Sequence, residues 1–555
     1  MSRWQKSPAG SVRYLGPSYH GFVSAPTPAD HLEVEWQFDA PGIEPVAVWL
    51  RAAAIPGYTV VTGKAKALAD RYLDTDDWRM HRARFTCRLR EKGDGAELTI
   101  KGMADAQGGM RSRREVNEPI AHATIGDVAA ANGPCGVMIR HIVGGRELRE
   151  LFAVNTRRQT FDLMDETGLV GEIALDDTTI PHGGATAHLA RVEVEVPADC
   201  VDRATRFVDV LVAAANLVPV ETSKFEAALL ATGQHPLPAA PQLGPTQVEA
   251  SMTAGQFAFA ILRKQFATFL ANEAGTRLGE DSEALHDMRV AARRLRAAMS
   301  AFATVLPAAM ERLRAELGWV AAVLGDVRDL DVQLERMTEW REGLSADQAS
   351  ALDAIEAILH ARWLLGRKRM LVALDSRRYE RFVERFTATL RRGPPRSFLP
   401  GQQPILTIAP DLLRKRYRQL RKLGDPIRPP SPPEEYHILR IAAKKLRYGL
   451  EFVGPIYGKP AIAFSARVTA LQDVLGLHQD AEIAVDTLRE IATGRGRRLS
   501  PQTILAMGAI SERYRIHGAQ LRGQFPSVWK PLLGRDWTAL LKDIDARERR
   551  SRLGR

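Results

Sequence analysis

The sequence predicts a multidomain chain in which a strand-rich, antiparallel α+β half precedes an all-α half. Three observations predict it. Side-chain character alternates with period two between His31 and about Leu230, the period switches to 3.6 from about residue 248, and a helical motif then recurs at one fixed offset. At 555 residues the chain is too long for a single core, and 45% apolar with 26% charged residues is the composition of a soluble globular protein. Cys87, Cys135 and Cys200 are too few and too scattered for a disulfide framework or a zinc site, which favours a reducing compartment. The start carries no apolar signal segment, and no uncharged apolar run reaches ~18 residues. The reading is a cytoplasmic protein with no membrane partner.

Residues 1–30, rich in Gly, Pro and Ser without periodicity, read as a disordered leader. From 31 to 230, HLEVEWQF, FTCRLRE, ELTIKG and ARVEVEV carry the alternation of strands, with helices expected near 61–70 and 201–215. Pro236, Pro238, Pro241 and Pro245 mark 231–247 as a linker. Residues 248–545 then read as helices broken at 393–404 and 425–433. LHDMRVAARRLRAAM (285–299) superimposes on YHILRIAAKKLRYGL (436–450) at an offset of 151, and LGDVRDLDV (324–332) superimposes on LGLHQDAEI (475–483) at the same offset. Two blocks at one offset predict a duplicated helical unit, about 248–392 and 405–545, built as two pseudo-symmetric four-helix bundles.

Charge divides with the pattern. Residues 1–250 hold 26 Lys and Arg against 32 Asp and Glu; residues 251–555 hold 51 against 34. The second half should attract a polyanion. Its cations are ordered: His286, Arg289, Arg293 and Arg296 share one helix face, and His437, Arg440, Lys444 and Arg447 repeat the spacing. Beside them run apolar stripes, Leu285, Met288, Ala292, Leu295, Met299 and Tyr436, Leu439, Ala443, Leu446, Leu450, which fix each helix to its bundle. Like charges at this spacing destabilise a helix by a few tenths of a kcal/mol per pair. A local rule broken twice in the same way points to a compensating function. The bland alternative is a solvated face paired with carboxylates such as Asp326, Asp329 and Asp331. Arg offers forks suited to phosphate oxygens, whereas single-strand nucleic-acid grooves interleave aromatics, and these helices carry only Tyr436 and Tyr448. The H-x-x-R-x-x-x-[RK]-[RK]-x-R helices followed by LGDVRDLDV resemble the CHAD domain, over about 250–540. The resemblance implies two four-helix bundles that bind inorganic polyphosphate, with His286, Arg289, Arg293, Arg296, His437, Arg440, Lys444 and Arg447 as contacts and Arg294 and Lys445 as adjacent candidates.

In the first half, Glu33-Val34-Glu35 and Glu193-Val194-Glu195 each place two carboxylates on one strand face. Two such strands side by side would gather four, a site for hard cations such as Mg2+ or Mn2+. Arg88 and Arg90 share a face, and Lys101, Arg114, Arg158 and Lys224 add cations. Acid and base facing one interior would describe a closed sheet whose lumen takes metal and phosphate together. HLEVEWQF, YLDTDDWRM, FTCRLRE, LTIKG, EIALDD, ARVEVEV and ETSKFEAAL, in that order, resemble the CYTH domain of triphosphate tunnel metalloenzymes over about 31–230. That resemblance implies an eight-stranded antiparallel tunnel that hydrolyses or cyclises triphosphates with divalent metal. It implies Glu33, Glu35, Glu193 and Glu195 as catalytic metal ligands with Glu172 and Asp176 as helpers, and Arg88, Arg90, Lys101, Arg114, Arg158 and Lys224 as triphosphate ligands. One departure stands out: the family opens with E-x-E-x-K, and this chain has Gln37. The expectation is an inorganic triphosphatase acting on tripolyphosphate and joined to a polyphosphate-binding domain. The alternative is a non-catalytic polyphosphate binder with a degenerate tunnel; a nucleotide cyclase ranks below both, for want of a base pocket.

Overall fold

Alternation in the first half sorts side chains between a charged interior and apolar cores outside it. The computed structural model describes residues 5–6, 12–13, 30–52, 54–93, 95–238, 241–494 and 499–553. The leader expected over 1–30 lies outside the described residues, apart from a short antiparallel pair, Gln5–Lys6 with Val12–Arg13, and Asp30. The chain divides into two units, Met1–Ala239 and Ala240–Arg555, with the boundary inside the Pro-rich stretch.

Among the described residues, eight strands build the ring of the first unit: β1 (Asp30–Asp39), β2 (Tyr58–Asp74), β3 (Phe85–Lys92), β4 (Gly95–Gly102), β5 (Met110–Ile120), β6 (Arg149–Asp165), β7 (Gly168–His182) and β8 (Ala185–Val196). Their order is β8-β7-β6-β2-β3-β4-β5-β1, and β1 pairs back onto β8, so the antiparallel sheet closes into a ring. Register shifts in the long β2–β6 pair, between Thr62 and Ala65 and between Tyr72 and Leu73, bend those strands as closure demands. On β1, Val34, Trp36 and Phe38 turn outward and pack with Phe161, Leu175, Val192 and Val194 under two helices, α1 (Ile43–Ala52) and α3 (Val201–Ala215), through Val46, Leu50, Phe207 and Leu211. Leu98, Ile100 and Val116 turn outward beneath α2 (Pro134–Val143), whose Cys135 thiol contacts the carbonyls of Leu98 and Val116. A short helix, α4 (Lys224–Ala231), follows α3.

The helix expected near 61–70 is instead the middle of β2. VVTGKAKALAD has a helix-like content of Ala and Lys, but the segment pairs with β6 along its length and with β3 at its end, and that tertiary pairing overrides propensity. The helix near 201–215 is α3, and α1 is an element the alternation reading did not anticipate.

Two local features hold the ring in register. Arg90 donates to both oxygens of Asp70 at 2.6 and 2.8 Å, and both side chains are largely buried. Breaking such a pair leaves an uncompensated buried cation, so Asp70→Ala is expected to cost about 3–5 kcal/mol in urea unfolding. Gly109 sits at φ 82° and accepts from the Gln37 amide at 2.9 Å; a Cβ there would stand 2.8 Å from the Gln37 carbonyl. Gly109→Ala should therefore destabilise by about 1–3 kcal/mol, read in the same experiment.

The second unit is helical: α5 (Ala254–Ala271), α6 (Ser282–Ala301), α7 (Ala309–Arg341), α8 (Asp353–Leu374), α9 (Arg377–Arg392), α10 (Ile405–Gly424), α11 (Pro433–Val453), α12 (Lys459–Thr493), α13 (Pro501–Trp529) and α14 (Arg535–Leu553). The breaks at 393–404 and 425–433 fall between α9 and α10 and between α10 and α11. The repeated motifs are α6 with α7, and α11 with α12. Both apolar cores of this unit draw on both repeats. The larger holds Phe257, Met288, Leu295, Phe386, Leu439, Leu446, Phe464 and Leu540. The smaller joins the ends of α7 and α12 to α8 and α13 through Trp340, Leu359, Leu488 and Met507, with the Trp340 indole donating to the Tyr514 hydroxyl at 3.0 Å. Among the described residues, no helix is long and apolar enough to cross a membrane.

Candidate functional site

Register alone assembles the acids. Glu35 lies opposite Glu195, Glu195 lies opposite Glu172, and Glu193 lies opposite Gln37, so β1, β8 and β7 carry them side by side on the inner wall. Glu33 and Glu35 are 4% and 2% exposed, deep among the cations of the facing strands. From β5, Arg113 donates to Glu33 Oε2 at 2.9 Å and to Glu35 Oε1. Lys101 of β4 reaches Glu33 Oε1 at 2.7 Å and Glu115. Arg158 of β6 binds Asp176 through two hydrogen bonds, 2.7 and 2.6 Å, and also donates to Glu193. Lys224, the first residue of α4, donates to Asp176 and stands 3.2 Å from Glu193. Arg88 donates to Thr99, which in turn donates to Asn117. The Gln37 side-chain amide donates through Nε2 to Glu35 at 2.8 Å and to Glu193 at 3.3 Å, leaving its buried Oε1 unpartnered.

This packing polarises the carboxyls. Burial would push Glu193 up, but Lys224 and Arg158 hold it well below the usual carboxylate range. Burial likewise opposes ionisation of Glu115, yet Lys101 and Arg88 hold it at about 2. Glu35 goes the other way: burial outweighs Arg113, and Glu33 and Glu193 repel its charge. The Glu195 side chain reaches solvent, yet desolvation of its carboxyl by the barrel wall and repulsion by Glu33 push it up to about 7. A wall of mutually repelling carboxylates is the donor chemistry a hard divalent cation requires. Among the described residues no cluster is already converged to hold one, because each of Glu33, Glu35 and Glu193 is engaged with Lys or Arg. The chemistry of those residues fits a hard cation wherever an anionic ligand draws the Lys and Arg side chains off them.

Two sequence assignments change. Arg114 was expected among the triphosphate ligands. Adjacent strand residues face opposite ways, and Arg114 lies on the outer side, binding Asp30 at 2.8 and 2.6 Å; its neighbour Arg113 occupies the lumen. Arg111-x-Arg113 has the same alternation as Arg88-x-Arg90, a signal that sequence reasoning passed over. Asp176, expected as a metal helper, is fully buried and its oxygens are taken by Arg158 and Lys224, so it anchors cations. Arg158 faces inward with these acids, while Arg157, one residue away, faces outward. Glu115 and Asp70 also belong to the interior and were not anticipated.

In the helical unit, α6 and α11 pack against each other, and the Arg293 guanidinium crosses between them to the Tyr448 hydroxyl at 2.6 Å. Burial and the surrounding charges of Arg440, Arg293, Arg447 and Arg289 push Lys444 down to about 8. Arg440 is lowered by burial and by Arg293 and Arg289, against the pull of Asp480. These five cations therefore form one mutually repelling group. His286 is half-buried and pushed down by burial and by Arg328, whereas His437 meets Gln479 at 2.5 Å. Arg328 and Gln479 stand at the repeat offset, as do Asp329, which pairs with Arg289 at 2.9 Å, and Asp480 beside Arg440. Arg294 and Arg447 turn to Glu451, and Arg296 and Lys445 are exposed.

Residues 47–220 match the model of the CYTH domain, and residues 260–489 match that of the CHAD domain. An uncharacterized protein of Mycobacterium tuberculosis is 26% identical over 505 residues, 84% of this chain and 90% of its own. Among solved structures, the CHAD domain from the plant Ricinus communis is 25% identical with a TM-score of 0.44, covering 51% of this chain and 95% of that one. The Hippeastrum protein HpAC1, described as revealing a dominant triphosphatase activity, is 16% identical with a TM-score of 0.29, covering 36% of this chain and 96% of its own.

Proposed function

Because the chain joins a CYTH domain to a CHAD domain, we propose that it is a metal-dependent inorganic triphosphatase whose helical unit binds inorganic polyphosphate. The observation that carries this reading is the closed lumen in which Glu33, Glu35 and Glu193 are shared among Lys101, Arg113, Arg158 and Lys224. Tripolyphosphate offers those four cations oxygens in place of carboxylates, with Arg88 and Arg90 beside them as further cations. The released Glu33, Glu35 and Glu193, with Glu195 and Glu172, would hold Mg2+ or Mn2+, which when bound neutralises phosphate oxygens. Once their hydrogen bonds have passed from carboxylate to phosphate, the cations fix the chain of phosphates in line and are in place as charge moves onto the leaving oxygen. Water adds to the terminal phosphorus and yields its proton to the solution, the P–O bond of the anhydride breaks, and phosphate and pyrophosphate leave.

In the helical unit, five cations held against mutual repulsion favour a phosphate chain that relieves it. Phosphate release from tripolyphosphate by the full chain with Mg2+ or Mn2+, abolished by chelation, is the expected result; no release with any divalent metal would overturn it. Gln37 supports a second reading, a non-catalytic binder, since a neutral amide bridges Glu35 and Glu193. Under that reading, Gln37→Lys should create turnover where the wild-type chain has none.

A further inference from the structure

Lys224 enters the lumen from outside the sheet, at the start of α4, so something must fix the segment that delivers it. Val218–Pro219 pairs with the end of β1, and the Val220 amide donates to the Gln37 carbonyl at 3.1 Å. The strands on either side of β1 each send one arginine to the next residues. Arg111 of β5 donates through Nη2 to the carbonyls of Glu221 at 2.8 Å and Val220 at 3.5 Å. Arg191 of β8 donates through Nη2 to the Thr222 hydroxyl at 3.4 Å and through Nε to Asp39 at 3.1 Å. Ser223 then caps α4 in a reciprocal box with Glu226. Residues 220, 221, 222 and 223 are thus held one after another, and Lys224 follows with Nζ on Asp176 and Glu193.

Both arginines are nearly inaccessible, 3% and 1% exposed. Arg111 is also placed against electrostatics: burial and the charges of Arg113 and Arg191 disfavour its cation. A buried guanidinium that hydrogen-bonds to carbonyls among other guanidiniums costs stability, and what it secures here is the path of one lysine. We propose that Arg111 and Arg191 are positioning residues for Lys224, clamping residues 220–222 so that its ammonium is delivered to the Asp176–Glu193 wall. The significance for phosphate binding rests on the triphosphatase reading; the clamp itself does not.

The test uses the full chain and an amine-acylating reagent, with modification of each lysine quantified by mass spectrometry. Lys224 should be protected in the wild-type chain and become several-fold more reactive in Arg111→Gln and Arg191→Gln, while Lys101, held by Glu33 and Glu115, stays as protected as before. Thr222→Val alters a solvent-exposed side chain and so preserves the fold; it should raise Lys224 labelling in the same direction. In a double-mutant cycle read by calorimetric tripolyphosphate affinity, with Arg293→Gln and Lys444→Gln in every member to weaken the helical unit's contribution, Arg111→Gln should have no further effect once Lys224→Gln is present. Unchanged Lys224 labelling in all three variants, or equal labelling of Lys101, overturns the clamp. Raised Lys224 labelling in a chain that neither binds nor hydrolyses tripolyphosphate upholds the clamp and overturns the triphosphatase reading instead.

Discussion

Glu193→Gln is expected to lower kcat for tripolyphosphate by about 10²–10³-fold, with KM changing far less. Glu193 is the acid on which three neighbours converge: Arg158, Lys224 and the Gln37 amide all reach it. Gln keeps the shape but removes the charge, so the wall loses an anionic donor for the divalent cation, and Arg158 and Lys224 are left to share Asp176. Steady-state rates with Mg2+, set beside thermal unfolding of the same variant, separate lost chemistry from lost fold. A variant as fast as wild type would place the reaction away from this wall.

The second large effect concerns the helical unit. Arg293→Gln with Lys444→Gln should weaken binding of long-chain polyphosphate by about 10-fold or more at fixed salt and lower the slope of log affinity against log salt by about 1 per cation removed. In the wild-type chain the affinity should fall as pH rises through about 8, where Lys444 loses its proton. The sign for stability is opposite. Lys444 has its folded-state pKa depressed, so between about 8 and the ordinary lysine range the unfolded chain binds more protons, and stability rises with pH across that window. Calorimetry at several pH values gives the first quantity, and urea unfolding gives the second. A pH-independent affinity would remove Lys444 from the anion site.

The parts of the architecture that were legible are those where one face must be apolar. Val34, Trp36 and Phe38 declare their side of β1, so Glu33, Glu35 and Gln37 follow on the other. The repeat declared α6 and α11 before any packing was known. What stayed hidden depends on pairing between distant strands. Residues 61–70 have no strong alternation of their own, and only their partners in β3 and β6 make them a strand. Arg113 and Arg114 are adjacent cations; the Arg111-x-Arg113 alternation hints at the inward one, and the register Glu33 opposite Arg113 decides it. The alternation of Arg111 with Arg113 is readable, but the partners of Arg111 and Arg191 are not, since each holds a segment more than thirty residues away.

The two longest helices, α7 and α12, each run through both apolar interiors of the helical unit, and each interior takes side chains from both repeats. Duplication is therefore visible in sequence but not in mechanics. A chain severed in the connection at 393–404 would yield two fragments, each with half of two interiors and no complete one, so neither copy is a free-standing module. The unit should melt in a single cooperative step, and a force or a protease that opens one repeat opens the other.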